Sequence, residues 1–267
     1  MSRIKETLEN IGRRGEKALV PFLTAGDPDA ATTVELIHTL IEAGADVIEL
    51  GVPFSDPMAD GPTIQAASER ALASGMTVAG VLDVVRTVRQ KSNVPIVLMG
   101  YYNPIFRYGP GRFASDAADA GVDGLLLVDL PPEESDEIHA DLKNAGIDLI
   151  TLLAPTTPAA RMAELAGVAE GYLYYVSMTG VTGSQQVDAD AIETAVKAVQ
   201  DKSCVPVAVG FGISTSSDAA AVGAFADAVV VGSALVKIIE AHGKSADLLP
   251  RVREFISSLK EGIGKAA

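Results

Sequence analysis

Glu49, Asp56 and Asp60 fall in one short stretch, IELGVPFSDPMADG, which runs from Ile48 to Gly61. It opens as an apolar strand and ends as a loop of acids and prolines. Glu49 has Val47, Ile48 and Leu50 as neighbours. A carboxyl in apolar surroundings holds its proton to higher pH and becomes a general acid–base group. The plainer reading of Glu49 is a buried strut, paired with a nearby hydroxyl or backbone donor. Pro53, Pro57 and Pro62 bracket Asp56 and Asp60 and restrict the loop that places them. The plainer reading of Asp60-Gly61-Pro62 is a turn and a helix start. Asp56 serves equally as a surface residue or a partner contact.

A carboxylate at the end of a strand needs elements to hold it there, and the chain repeats such an element. A helix-like segment ends in Ala-Gly or Gly-Ala, an Asp follows within a few residues, and an apolar run comes next: AGADVIELG from Ala43, AGVDGLLLVDL from Ala120, AGIDLITLLAP from Ala145 and GAFADAVVVGSA from Gly223. The glycine suits a helix C-terminus. The apolar run lacks alternation, as in a strand covered on both faces. Val94 and Val205 open two further runs with Val-Pro, and ALVPFLTAG at Ala18 and GYLYYVS at Gly171 complete eight strand candidates. Asp27-Pro28 reads as a helix N-cap with proline in the first turn. Helical patterns fall near Val78–Gln90, Arg112–Ala120, Glu133–Asn144, Ala159–Ala166, Asp190–Gln200, Ser216–Val222 and Leu248–Leu259. Eight strands alternating with helices predict an α/β fold, a (β/α)8 TIM barrel forming one domain over residues 1–267 with a polar N-terminal helical extension. A doubly wound open sheet is the alternative.

In a barrel, active sites lie at the C-terminal ends of the strands. Long gaps follow the second and sixth strands, which lie opposite each other. The acids near the strand ends are Asp27, Glu49, Asp56, Asp60 and Asp129. No lysine falls there, which disfavours Schiff-base chemistry. His38, His139 and His242 fall in helical stretches or near a helix end, so an imidazole metal site is not expected, and a carboxylate-only Mg²⁺ site stays open. Small glycine-rich loops follow the last three strands: Gly180-Val181-Thr182-Gly183, Gly210-Phe211-Gly212 and Gly232-Ser233-Ala234. They merely turn the chain, or they bring backbone N–H groups close to an anion. Barrel phosphate sites are often built after strands seven and eight, at the N-terminus of a short helix. Ser233–Ile239 fits such a helix.

Composition bounds the rest. The net charge of −14 argues against nucleic acid, which requires a basic surplus. No apolar run reaches the roughly 18 residues of a membrane span. The first residues, MSRIKETLENIGRRGEK, contain no apolar signal core. The single cysteine, Cys204, permits no internal disulfide and fits a reducing compartment, so the cytoplasm is the expected location. The dinucleotide fingerprint, the P-loop and a C-x-x-C pair are absent from the sequence, and no cofactor is implied. The residues alone therefore point to a phosphorylated small molecule, held by backbone amides and worked on by carboxylates.

IELGVPFSDPMADGPTIQ closely resembles the signature of the tryptophan synthase alpha chain family. PFLTAGDPD, GYYNPIF, VDLPPEES, GVTG, GFGIS and GSALVKIIE extend the likeness in order from about Leu19 to Leu259. The resemblance implies a TIM barrel that cleaves indole-3-glycerol phosphate to indole and glyceraldehyde 3-phosphate. It also implies a beta chain that carries pyridoxal phosphate, an alpha2–beta2 heterotetramer, and passage of indole to the beta chain for condensation with L-serine. It makes Glu49 and Asp60 the catalytic carboxylates. It puts the phosphate on Gly183, Gly212, Gly232 and Ser233, and the indole among Phe22, Leu126, Tyr174 and Phe211. Thr182 resembles the loop residue that closes on the site, and Asp56, Asn103 and Pro104 lie on loops expected to face the beta chain. Asn103-Pro104 otherwise reads as a turn. Ser177-Met178-Thr179 and Ser184–Val187 differ from the arginine-containing versions of some relatives. Two other readings compete: a sugar-phosphate isomerase or epimerase, which usually needs Cys/Asp, His or a metal at the strand ends, and a non-catalytic subunit that binds a ligand and regulates a partner enzyme.

Overall fold

The computed structural model describes residues 2–176, 189–210 and 212–264. The apolar runs form β1 (Ala18–Thr24), β2 (Ile48–Gly51), β3 (Ile96–Gly100), β4 (Gly124–Leu127), β5 (Asp148–Leu149), β6 (Thr151–Leu153), β7 (Leu173–Val176), β8 (Val207–Gly210) and β9 (Ala228–Val231). All pairings are parallel, and the strand order is β5-β4-β3-β2-β1-β9-β8-β7-β6. β5 and β6 are two parts of the run expected as the fifth strand. The ladder changes partner at Ile150, whose N–H still bonds Leu125 O at 2.8 Å. β5 pairs with β4 and β6 with β7, so this run closes the ring from both sides. The expected (β/α)8 barrel is thus present, with its fifth strand in two pieces.

Alternation along the strands separates two apolar clusters. Ile48, Leu50, Leu98 and Leu125 face outward, in one cluster with Leu36 and Leu40 of α2 (Ala30–Glu42) and Val85 of α4 (Val78–Arg89). Val20, Val47, Val97, Leu126, Tyr172, Tyr174, Ala208 and Val230 fill the barrel interior. The N-terminal helix α1 (Arg3–Arg13) is polar only on one side. Its Ile4, Leu8 and Ile11 are buried in that interior cluster and plug the floor of the barrel.

The floor also explains the repeated aspartate. Asp46, Asp123 and Asp227 each sit just before a strand and accept an N–H from the first or second residue of a neighbouring strand. Leu19 N–H donates to Asp46 at 2.7 Å, Ile96 N–H to Asp123 at 2.8 Å and Val207 N–H to Asp227 at 2.9 Å. Glu170 does the same for Leu149 at 3.0 Å. An acid at the lower rim thus satisfies a backbone donor that would otherwise be buried unpaired.

Two local expectations change. The N-cap of α2 is Asp29, whose carboxylate accepts Thr32 N–H at 2.8 Å. Asp27 precedes a cis bond to Pro28 and instead receives both arms of Arg70 at 2.8 Å. Asn103 and Pro104, expected on a loop, lie in the first turn of helix α5 (Tyr102–Tyr108). Proline is tolerated there because first-turn N–H groups have no helical partner. Asp129 Oδ1 accepts the Tyr102 N–H at 2.8 Å and so steadies that turn.

Candidate active site

Glu49 is the second residue of β2, in register with Phe22 and Val97. Its neighbours Ile48 and Leu50 point outward, so its side chain enters the barrel, where it is fully buried. The Tyr172 hydroxyl, just before β7, reaches across from the opposite wall and donates to Glu49 Oε1 at 2.5 Å. Glu49 Oε2 has no hydrogen-bond partner among the described residues. Among the described residues no cation balances the charge, and burial pushes the carboxyl up to about 7, with the Tyr172 hydrogen bond opposing the shift. The same burial, with Glu49 beside it, pushes the Tyr172 hydroxyl well above its ordinary range. Near neutral pH Glu49 can therefore both give and take a proton, with one oxygen free to do so.

Asp60 ends the loop that leads into helix α3 (Pro62–Ala73). Backbone bonds hold the loop: Asp60 N–H to Pro57 O at 3.0 Å, and the Gln65 side-chain amide to Asp60 O at 2.9 Å. The Tyr101 hydroxyl accepts Ala59 N–H at 2.9 Å and is also hydrogen-bonded to the Asp60 carboxyl. Burial raises Asp60 to about 6, and the Tyr101 bond opposes this. Asp60 is thus ionised at neutral pH, while Glu49 is divided between its two forms.

A narrow cleft opens beside Asp60, lined by Phe22, Thr24, Gly51, Val52, Ile64, Ser68, Met99, Gly100, Tyr101 and Val128. Gly51 is needed here: a Cβ would lie 2.7 Å from the Phe22 ring, which rests on the end of β2. Of the residues expected at the site, the cleft brings Asp60 and Phe22 together. Glu49 lies outside its lining. Leu126 and Tyr174 are buried in the barrel interior. Gly210 packs against the Tyr174 ring, and a Cβ there would run into the Tyr174 hydroxyl.

Gly232 caps helix α11 (Ser233–His242) and faces Phe22, with 3.7 Å from its Cβ position to the Phe22 side chain. Ser233 is exposed in the first turn. A helix N-terminus presents unpaired N–H groups and favours an anion. Gly212 is exposed and has φ +76. Gly183, Thr182 and Phe211 lie outside the described residues, as do Ser177–Thr179 and Ser184–Val187.

Asp56 is exposed and accepts the Ser55 hydroxyl at 2.6 Å. Two large apolar side chains are exposed on these elements: Met58, two residues along the same loop, at 82%, and Phe106, on the helix of Asn103, at 59%. Phe54 packs on Tyr101 at 5.4 Å between ring centroids and Tyr102 on Phe106 at 5.9 Å. Asn103 is exposed and Pro104 half-buried on the same helix as Phe106. Among the described residues, no three His, Cys, Asp or Glu side chains converge on a metal-sized site, no lysine lines the cleft, and no single helix is long and apolar enough to cross a membrane.

Sequence reasoning missed Tyr172 and Tyr101, the partners of the two acids. Tyr172 had one available signal. It shares a face with Tyr174 at i and i+2, on the strand opposite Glu49. Nothing local marks Tyr101, because its bonds to Ala59 and Asp60 depend on how the loop folds back.

The chain matches the family model described as tryptophan synthase alpha chain over residues 8–263. It is 55% identical over 267 residues to the tryptophan synthase alpha chain of Citrifermentans bemidjiense, covering 100% of both chains. It is likewise 55% identical to that of Geobacter sulfurreducens, covering 99% of this chain and 100% of the relative. Among solved structures, tryptophan synthase subunit alpha from Legionella pneumophila superposes with a TM-score of 0.91 at 44% identity, covering 99% of each chain. A chain of tryptophan synthase from Mycobacterium tuberculosis in its aminoacrylate-bound form gives 0.88 at 35% identity, covering 98% of this chain and 100% of that one.

Proposed function

The chain belongs to the tryptophan synthase alpha chain family and, as its alpha subunit, cleaves indole-3-glycerol phosphate to indole and glyceraldehyde 3-phosphate, a lyase reaction; from that premise we propose that Glu49 moves the protons and Asp60 holds the indole N–H. The indole goes to a beta chain, which condenses it with L-serine. The observation that carries the proposal is the state of Glu49: buried, with no cation and no partner for one oxygen among the described residues, and poised near 7.

The chemistry has two proton movements. Protonated Glu49 donates to indole C3, which turns the ring into an electron-accepting indolenine. The glycerol hydroxyl on the carbon attached to C3 then gives its proton back to Glu49. The bond between C3 and that carbon breaks, its electrons restore the indole ring, and the carbon leaves as the aldehyde. The carboxyl ends as it began. Asp60, ionised at neutral pH, accepts the indole N–H and stabilises the positive charge that develops on the ring. Such a contact strengthens toward the transition state, where it lowers the barrier.

The phosphate is assigned to backbone amides of Gly183, Gly212 and Gly232, with the Ser233 hydroxyl as a further donor. Support comes from the α11 N-terminus, beside Phe22 and the cleft. Phe22, Leu126, Tyr174 and Phe211 are assigned to the indole pocket, and Thr182 to closure over it. Asp56, Asn103 and Pro104 are assigned to the beta-chain interface, supported by exposed Met58 and Phe106 around them. The assembly is read as an alpha2–beta2 heterotetramer in the cytoplasm, with pyridoxal phosphate in the beta chain and the whole of this chain as one barrel domain. Indole release by the purified chain, with and without a beta chain, tests the assignment. Glu49→Gln and Asp60→Asn should each abolish most of it in both conditions, whereas near-normal release by either variant contradicts the role given to that acid.

A further inference from the structure

Among the described residues, two buried side-chain polar atoms have no hydrogen-bond partner: Glu49 Oε2 and Thr24 Oγ1. The first is the oxygen assigned to proton transfer. The second is used by nothing described so far. Thr24 ends β1 and is 2% exposed. It lies two residues beyond Phe22 and shares its face, and its register partner on β2 is Gly51, which has no side chain to cover it. Thr24 is one of the residues that line the cleft, with Asp60, Ser68 and Tyr101, and its hydroxyl lies buried in that wall. Neighbouring backbone groups are already engaged: Asp27 N–H bonds Thr24 O at 3.3 Å, and Ala25 N–H bonds Gly51 O at 2.9 Å. The Tyr101 hydroxyl is likewise occupied by Ala59 N–H and Asp60.

We propose that the Thr24 hydroxyl is a further substrate-binding group, which accepts from the N–H edge of the indole ring beside Asp60. This rests on the reading of the cleft as the indole site. The cleft is walled by Phe22, Ile64, Met99, Tyr101 and Val128, which suits a flat aromatic ring. An indole offers a single hydrogen-bonding group, its N–H donor. Among the described residues of the lining, the Asp60 carboxylate has Tyr101 as its hydrogen-bond partner and acceptor capacity to spare, and Thr24 Oγ1 is the buried side-chain atom without a partner. A valine has the same shape as threonine and would avoid the cost of an unpaired buried hydroxyl. The hydroxyl is explained when a ligand supplies its partner.

The test compares Thr24→Val and Thr24→Ser with the parent chain, in complex with a beta chain. It uses three readouts: kcat/KM for cleavage, affinity for indole-3-propanol phosphate, which keeps the indole N–H and lacks both glycerol hydroxyls, and Tm. Thr24→Val is expected to lower kcat/KM and probe affinity together, by about three- to tenfold, with Tm unchanged or raised. Thr24→Ser should restore most of both. Parent-like values of kcat/KM and affinity in Thr24→Val overturn the proposal. So does a loss of kcat/KM with unchanged probe affinity, which would put the hydroxyl on the glycerol chain. A fall in Tm that serine does not rescue overturns it too, since that marks a packing role. Asp60→Asn, run alongside, reports on the cleft reading by itself. Full activity there with a weakened Thr24→Val would contradict the role of Asp60 and keep that of Thr24.

Discussion

The floor and the mouth of this barrel use the same chemical group, a buried carboxyl, for opposite ends. On the floor, Asp123 is almost fully buried and fully partnered. Arg3 Nε lies 2.6 Å from one oxygen, Arg89 Nη2 lies 2.7 Å from the other, and Ile96 N–H adds a third bond. Near the mouth, Glu49 is as deeply buried with a single hydroxyl for company. Burial raises both carboxyls, but around Asp123 the backbone N–H and two guanidinium groups oppose it, whereas only Tyr172 opposes it at Glu49. A buried acid surrounded by donors is a fastener. A buried acid left without a cation is held ready for a proton. The comparison predicts that the floor acids govern stability and the mouth acids govern rate.

The largest expected effect is on Glu49. Glu49→Gln should cut indole release by about 10²- to 10⁴-fold, the usual range for losing a general acid–base group, with the fold retained by circular dichroism. Asp60→Asn should cost about 10²- to 10³-fold in kcat, as for removal of a charge-stabilising group, and is read in the same assay. Asp123→Asn inverts the pattern. It leaves two guanidinium groups short of their partner and should cost about 3 kcal/mol in urea unfolding, with activity per folded molecule changed less than about twofold. A stable Asp123→Asn, or one that kills turnover while folded, would break the contrast.

Stability should also depend on pH at the mouth. Glu49 moves from an ordinary value of 4.5 to about 7 on folding. A raised carboxyl contributes stability that is complete below 4.5 and is lost as pH rises through 7. Glu49→Gln has no such loss. Its stability advantage over the parent should grow between pH 4.5 and 8 and level off near 3 kcal/mol at most, about 1.4 kcal/mol for each tenfold change in proton affinity. Urea unfolding across that range checks it. The smallest effect is expected at Tyr172. Tyr172→Phe removes the one bond that favours ionised Glu49, so the high-pH limb of the rate profile should move upward by about one pH unit. A downward move would contradict the geometry.

The barrel was legible because its floor is periodic. Gly-Ala or Ala-Gly followed by Asp and an apolar run recurs at four positions, and three of those aspartates cap the preceding barrel strand. The two acids proposed for the site stand out in the sequence for a related reason, since Glu49 interrupts an apolar strand and Asp60 sits among prolines. What escaped depends on distance through space. Tyr172 lies 123 positions from Glu49 in the sequence and meets it only because the barrel closes. The first turn of α5 was hidden by Pro104, which reads as a breaker unless the helix is known to start at Tyr102. The cap at Asp29 was displaced from Asp27 because Arg70 claims that carboxylate from α3, a contact no local pattern shows.

The most direct test of the central claim is single-turnover indole release by Glu49→Gln in complex with a beta chain, at pH 7 and saturating indole-3-glycerol phosphate, beside a parallel unfolding curve. A fall of about a hundredfold or more, with stability equal to or above the parent, is the expected result. Release within a few-fold of the parent would contradict it and show that the proton reaches indole C3 by another route.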